Sequence, residues 1–124
     1  MSKNNIPSKE DFARAKSAAR KDFQGLDEVR KNVLLKFRDN GLHELMMMYS
    51  RRNDEFFAHV FFRFDKQVHD AISSGFSTEV ESAIVNELIE VGRIEQGHSN
   101  VRIEFDSHEN VESNYGGDYY SRLR

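Results

Sequence analysis

The sequence predicts an α+β domain in which a small antiparallel sheet of about four strands carries helices on one face, in the order ααββαββ. Three observations predict it. Apolar residues recur at helical spacing from Phe12 to Phe37, then alternate with a period of two from Leu45 to Phe64. A capped helical stretch follows, and alternation returns in Val101–Phe105 and Tyr119–Arg124. Helices grouped apart from paired strands are the pattern of an α+β fold.

The first helix starts at Ser8, which can cap the leading amides, with Glu10 and Asp11 at the positive end of the helix dipole. Phe12, Ala15, Ala19, Phe23 and Leu26 form its apolar stripe. Gly25 is read as separating it from a second helix. That helix carries Val29, Val33, Leu34 and Phe37, is capped by Asp27 and is stopped by Asn40-Gly41. Both are expected to pack on the same sheet face.

Leu45, Met47 and Tyr49 alternate with Met46, Met48 and Ser50. After the polar turn Arg51–Asp54, Phe56, Ala58, Val60, Phe62 and Phe64 alternate with Phe57, His59, Phe61 and Arg63, which makes a β-hairpin. Residues 65–74 read as a short helix or irregular connection. Thr78 and Glu81 form a capping box for a helix running to Val91 and stopped by Gly92. Gly97–Asn100 is a turn, Val101–Asp106 a half-buried strand, and Ser107–Asn114 a single helical turn. Gly116-Gly117 breaks the chain before a short last strand, Tyr119–Arg124. No repeat or linker divides the chain, so residues 1–7 read as a flexible polar leader and 8–124 as one domain.

Composition narrows the function classes. Ten Phe and four Tyr supply a packed core. The absence of cysteine excludes disulfides, thiolate metal sites and a cysteine nucleophile, and points to a cytoplasmic location. No apolar run approaches the length of a membrane span and no apolar segment follows Met1, so neither an anchor nor a signal peptide is expected. Charge is segregated: residues 76–118 hold 10 acidic and 2 basic side chains. Such a block disfavours nucleic acid, which needs Lys and Arg, and suits a basic protein partner.

Known catalytic motifs are missing. There is no phosphate-binding glycine loop, no G-x-S-x-G and no H-E-x-x-H. His59 reads as a half-exposed strand residue, His69 as a surface residue, and His43 and His98 as incidental to turns. The one suggestive cluster is Asp106-Ser107-His108-Glu109, where Asp106, His108 and Glu109 at a strand end could hold a metal ion or a water. Its bland alternative has Ser107 as a helix cap, Glu109 complementing the dipole and His108 solvated. The bland reading is preferred, so no catalytic residue, metal ligand or cofactor is assigned. A nucleic-acid mode would use Arg14, Lys16, Arg20 and Lys21 of the first helix, but Asp11 and Asp22 interrupt those charges.

Two surfaces stand out. Glu79, Glu87 and Glu90 fall within about a quarter turn of one another on their helix, and none has a Lys or Arg four residues on. Met46, Met48, Phe57, His59 and Phe61 line the outer hairpin face, an adaptable binding surface unless other elements cover it.

The C-terminal stretch from Phe105 to Arg124, FDSHENVESNYGGDYYSRLR, in a small, cysteine-free, acidic-patched α+β domain, resembles the immunity proteins of bacterial toxin–immunity systems, including those of contact-dependent inhibition. It covers about a sixth of the chain. Proteins of this group have unrelated folds, so no residue role is carried over by motif. The resemblance implies a cytoplasmic inhibitor that occludes a cognate toxin domain, often a nuclease and therefore basic. The contact residues expected for that role are Glu79, Glu87, Glu90, Glu109 and Glu112, with Tyr115, Tyr119 and Tyr120 as aromatic anchors.

Overall fold

The computed structural model describes residues 8–97 and 100–124. The proposed leader lies outside the described residues, as does His98. Helix α1 (Lys9–Phe23) begins as its sequence predicts. Ser8 Oγ accepts from the Asp11 amide and Asp11 Oδ2 accepts from the Ser8 amide, both at 3.1 Å. Gly25 separates α1 from α2 (Leu26–Phe37). It takes φ +80°, and a Cβ there would meet the Val91 side chain at 3.0 Å. Gly25 is thus the N-cap, and Asp27 lies inside the first turn rather than capping it.

A 3₁₀ turn (Arg38–Asn40) and Gly41 lead into the hairpin of β1 (Leu42–Ser50) and β2 (Glu55–Phe62). The strands pair antiparallel with Leu45 opposite Val60 and Tyr49 opposite Phe56, and the register shifts around His43. Two helices follow, α3 (Asp65–Ser74) and α4 (Phe76–Glu90), joined at Gly75. The α4 helix begins two residues before Thr78, so Thr78 does not cap it.

Strand β3 (Val101–Ser107) pairs with β2 in parallel, from Phe56 opposite Val101 to Phe62 opposite Ser107. The sheet is therefore mixed and three-stranded, ordered β1-β2-β3, which corrects the four-stranded antiparallel expectation. The cause lies in the connection. The α3–α4 pair carries the chain back along the sheet, so β3 starts from the same end as β2, the usual consequence of a helical crossover.

The predicted last strand is also a correction. After α5 (His108–Tyr115), the segment Tyr119–Leu123 is helix α6. Asp118 caps it, accepting from the Tyr120 amide at 3.0 Å and the Ser121 hydroxyl at 2.8 Å. The alternation of this segment hides a helical stripe: Tyr119, Arg122 and Leu123, spaced i, i+3, i+4, turn toward the sheet.

The core lies between one sheet face and helices α2 to α4. Leu45, Ala58, Val60 and Phe62 meet Val29, Val33, Val80, Ile84 and Leu88, all buried. Burial stabilises each of the larger side chains by about 1.5–3 kcal/mol. Phe37 and Phe62 both contact Phe76, at ring separations of 5.3 and 6.2 Å. Helix α1 does not join this layer. Its Phe12 and Phe23 are 62% and 55% exposed, which corrects the expectation that both N-terminal helices pack on the sheet. Its C-terminal end is held by polar contacts instead: Arg51 pairs with Asp22 at 3.2 Å, and Arg93 donates to the Asp22 and Gln24 carbonyls.

The opposite sheet face is partly covered by α6. Phe61 is fully buried there, with the Tyr119 ring edge-on at 4.7 Å. Helices thus occupy both faces, not one.

Candidate functional site

Helix α4 carries Glu79, Glu81, Glu87 and Glu90 and no Lys or Arg. Among the described residues none of the four forms an ion pair. Glu87 accepts from Asn32 of α2 at 2.7 Å, a neutral contact that orients the carboxylate without cancelling its charge. Glu79 borders a shallow groove between α2 and α4, with Lys36, Ser82 and Asn86 on its walls. Glu90 closes the helix at its negative end, where a carboxylate is locally unfavourable.

The Asp106–Glu112 region is organised by α5. Buried Ser107 accepts from the Asn110 amide at 2.9 Å and donates its hydroxyl to Asp65. Asp106 is enclosed by donors: the Ser107 amide at 2.8 Å, the Asn110 side chain at 3.0 Å and the Arg122 guanidinium. Burial pushes the Asp106 carboxyl up, but these donors outweigh it and hold the group below its usual range.

His108 faces elsewhere. Its Nε2 lies 3.0 Å from Glu112 and its Nδ1 lies 2.6 Å from the Tyr119 hydroxyl. A carboxylate only accepts, so neutral His108 carries its proton on Nε2 and Nδ1 accepts from Tyr119. The His43 ring packs on His108 at 4.4 Å. Burial, followed by the neighbouring His108 and Arg63, pushes the His43 pKa down. Burial and the carboxylates of Glu44, Glu112 and Asp106 push the Tyr119 phenol up. Glu109 stands in the first turn of α5, as expected, and also accepts from the Asp65 amide at 2.9 Å, so it serves the start of α3 as well.

Asp106, His108 and Glu109 therefore point to three different sets of partners. Among the described residues no group of three or more His, Asp or Glu side chains is placed to hold a metal ion. The residues expected at a partner surface are likewise split. Glu79, Glu87 and Glu90 belong to the helical layer on the core side, whereas Tyr119 and α6 lie on the other sheet face. Tyr119 is half-buried, Tyr120 is 73% exposed, and Tyr115 sits under the Arg122 guanidinium at 6.0 Å. The basic side chains of α1 are exposed, and Arg14 is paired with Asp11 at 3.3 Å.

The outer hairpin face carries a pocket of about 430 Å³ lined by Met48, Phe57, His59, Arg102, Glu104 and Leu123 among others. Burial lowers the His59 pKa, opposed by Glu104 at 3.5 Å. A second pocket, of about 420 Å³, was not legible in the sequence. Arg38, Gly41, Leu42, His43, Arg63 and Gln67 line it, from four elements or their ends. No local spacing announces such a group, and His43 read as incidental. Comparison with family models, with curated proteins and with solved structures finds no match to this chain.

Proposed function

We propose that this chain is a protein-binding inhibitor of the immunity class, which occludes a basic toxin domain, of which a nuclease is the fitting kind, through the outer face of α4. The observation that carries this reading is the unpaired charge of α4. Its 15 residues hold four carboxylates, no cation and no ion pair among the described residues. A basic groove built to hold phosphates attracts such a helix, and charge complementarity of this kind steers association. Glu79 and Glu90 are exposed, Glu87 is pre-oriented by Asn32, and the α2–α4 groove gives a partner side chain a place to enter. On this reading the action is cytoplasmic and needs no cofactor. Among the described residues no helix is long and apolar enough to cross a membrane. Tyr119 is committed to the fold and drops out of the contact set. Glu109, Glu112, Tyr115 and Tyr120 would belong to a separate patch.

The test takes the protein encoded directly upstream of this chain's gene, which on this reading is the toxin. Cells expressing that toxin should survive when this chain is co-expressed, and the two purified proteins should form a stable complex. Glu79→Lys with Glu90→Lys should slow association about tenfold or more at low salt and flatten its salt dependence. Loss of protection with the unaltered chain would overturn the immunity reading. Full protection with unchanged association in the double variant would overturn the docking helix while leaving that reading standing.

A further inference from the structure

The pocket beside β1 is lined by cationic and neutral side chains. Arg38 ends the α2 segment, His43 sits where the β1–β2 register shifts, Arg63 follows β2, and Gln67 lies in the first turn of α3. No Asp or Glu lines it. Among the described residues neither guanidinium makes an ion pair or a side-chain hydrogen bond, although five other arginines of this chain do pair with carboxylates.

The orientation of Gln67 is decided by its own oxygen. Oε1 accepts from the Phe64 amide at 2.8 Å, which leaves the NH₂ group to donate. That group lies against Gly41. A Cβ on Gly41 would stand 2.5 Å from Gln67 Nε2, and Gly41 holds φ +93°. The backbone is thus stripped of a side chain where the amide needs room. The result is two guanidinium forks, a carboxamide donor and an imidazole around about 420 Å³ of open space.

The geometry points to a phosphate-monoester site, taking the terminal phosphate dianion of a small molecule. Two full positive charges without a counter-ion match a dianion better than a single carboxylate. Donors supplied by separate elements around one pocket suit tetrahedral oxygens, whereas a carboxylate accepts in one plane. A phosphodiester carries one charge and has two ester arms to place, so it fits less well. The site shares no residue with the proposed docking face of α4 and stands independently of it.

Inorganic phosphate is the probe, titrated into the ¹⁵N-labelled protein with dimethyl phosphate, acetate and chloride at matched ionic strength. Phosphate should shift the Gly41 amide and the Gln67 side-chain NH₂ signals in a saturable manner. Dimethyl phosphate and acetate should bind at least about tenfold more weakly, since each carries one charge. Arg38→Gln and Arg63→Gln are surface changes that leave the fold intact, and each should weaken phosphate binding about tenfold. Arg52→Gln, in the hairpin turn, should have no effect. A response equal for phosphate and chloride, or one that survives both pocket substitutions, would overturn the assignment.

Discussion

The Tyr119 hydroxyl and His108 Nδ1 share a hydrogen bond of 2.6 Å, and this bond ties α6 to the start of α5 across the outer face of the sheet. The tyrosine ring packs edge-on against Phe61 while its hydroxyl reaches the histidine. One residue thus seals a hydrophobic face and satisfies a polar group at its margin. Tyr119→Phe keeps the ring and removes the bond, so it should lower unfolding free energy by about 1 kcal/mol. Phe61→Ala empties a fully buried site and should cost about 3–5 kcal/mol. Urea denaturation of both variants measures the two contributions, and equal losses would contradict this division of labour.

His59 predicts an acid-side loss of stability. Burial lowers its folded pKa below 6.5, so as pH falls the unfolded chain takes up the proton first. Stability should decline as pH drops through 6.5 and level off below the folded value. His59→Leu should remove part of this slope, the rest belonging to His43, whose pKa burial also lowers. Urea midpoints between pH 8 and pH 5 (about three units, spanning the ordinary histidine range) report it directly.

Asp106 acts at lower pH. Its folded pKa lies below the ordinary 3.8, so the carboxylate contributes stability that is present above that value and is lost as pH falls through the folded one. Asp106→Asn should therefore be less stable than the parent at neutral pH, because Arg122 loses its counter-ion. The gap should close at acid pH, where both chains are uncharged at this position. A gap that persists would assign the loss to packing.

Gly41 and Gly75 both hold left-handed backbone, at φ +93° and +87°. Alanine at either pays the left-handed strain, about 1–2 kcal/mol. Only at Gly41 does the new Cβ also strike a neighbour, Gln67. Gln67 can swing aside, so Gly41→Ala should exceed Gly75→Ala by no more than the Phe64–Gln67 hydrogen bond it disturbs, about 1 kcal/mol or less, in a thermal or urea comparison.

The exposed aromatic pair of α1 offers a converse case. Phe12→Ser and Phe23→Ser remove apolar groups that are already largely in water, so stability should change by less than about 0.5 kcal/mol. Val33→Ala, in the buried layer, should cost about 1–3 kcal/mol. A large loss from either Phe substitution would mean that α1 packs against the domain.

What the sequence determined by itself was local. Ser8 and Asp11 specify their helix start because the capping bonds join residues three apart. The hairpin was legible because alternation with a period of two separates its faces, and Ser107 caps α5 by the same short-range logic. Asn40-Gly41 stops the helical segment as read, though what Gly41 caps is the 3₁₀ turn Arg38–Asn40 that follows α2, where the backbone needs a left-handed residue. The tertiary structure decided everything that depends on distant partners. Pairing of β2 with β3 is parallel because α3 and α4 return the chain to the far end of the sheet. The last segment reads as a strand, because its residues alternate, but over so few residues a helical stripe alternates too. It becomes α6 because Asp118 caps it and Phe61, Asp106 and His108 await its stripe. Glu109 serves α3 as well as α5, and α4 and α6 lie on opposite sheet faces, so the expected contact residues do not form one patch. Arg38, His43, Arg63 and Gln67 meet only in the fold. Periodicity reports which face of an element is apolar, but not which charges from separate elements come to share one pocket.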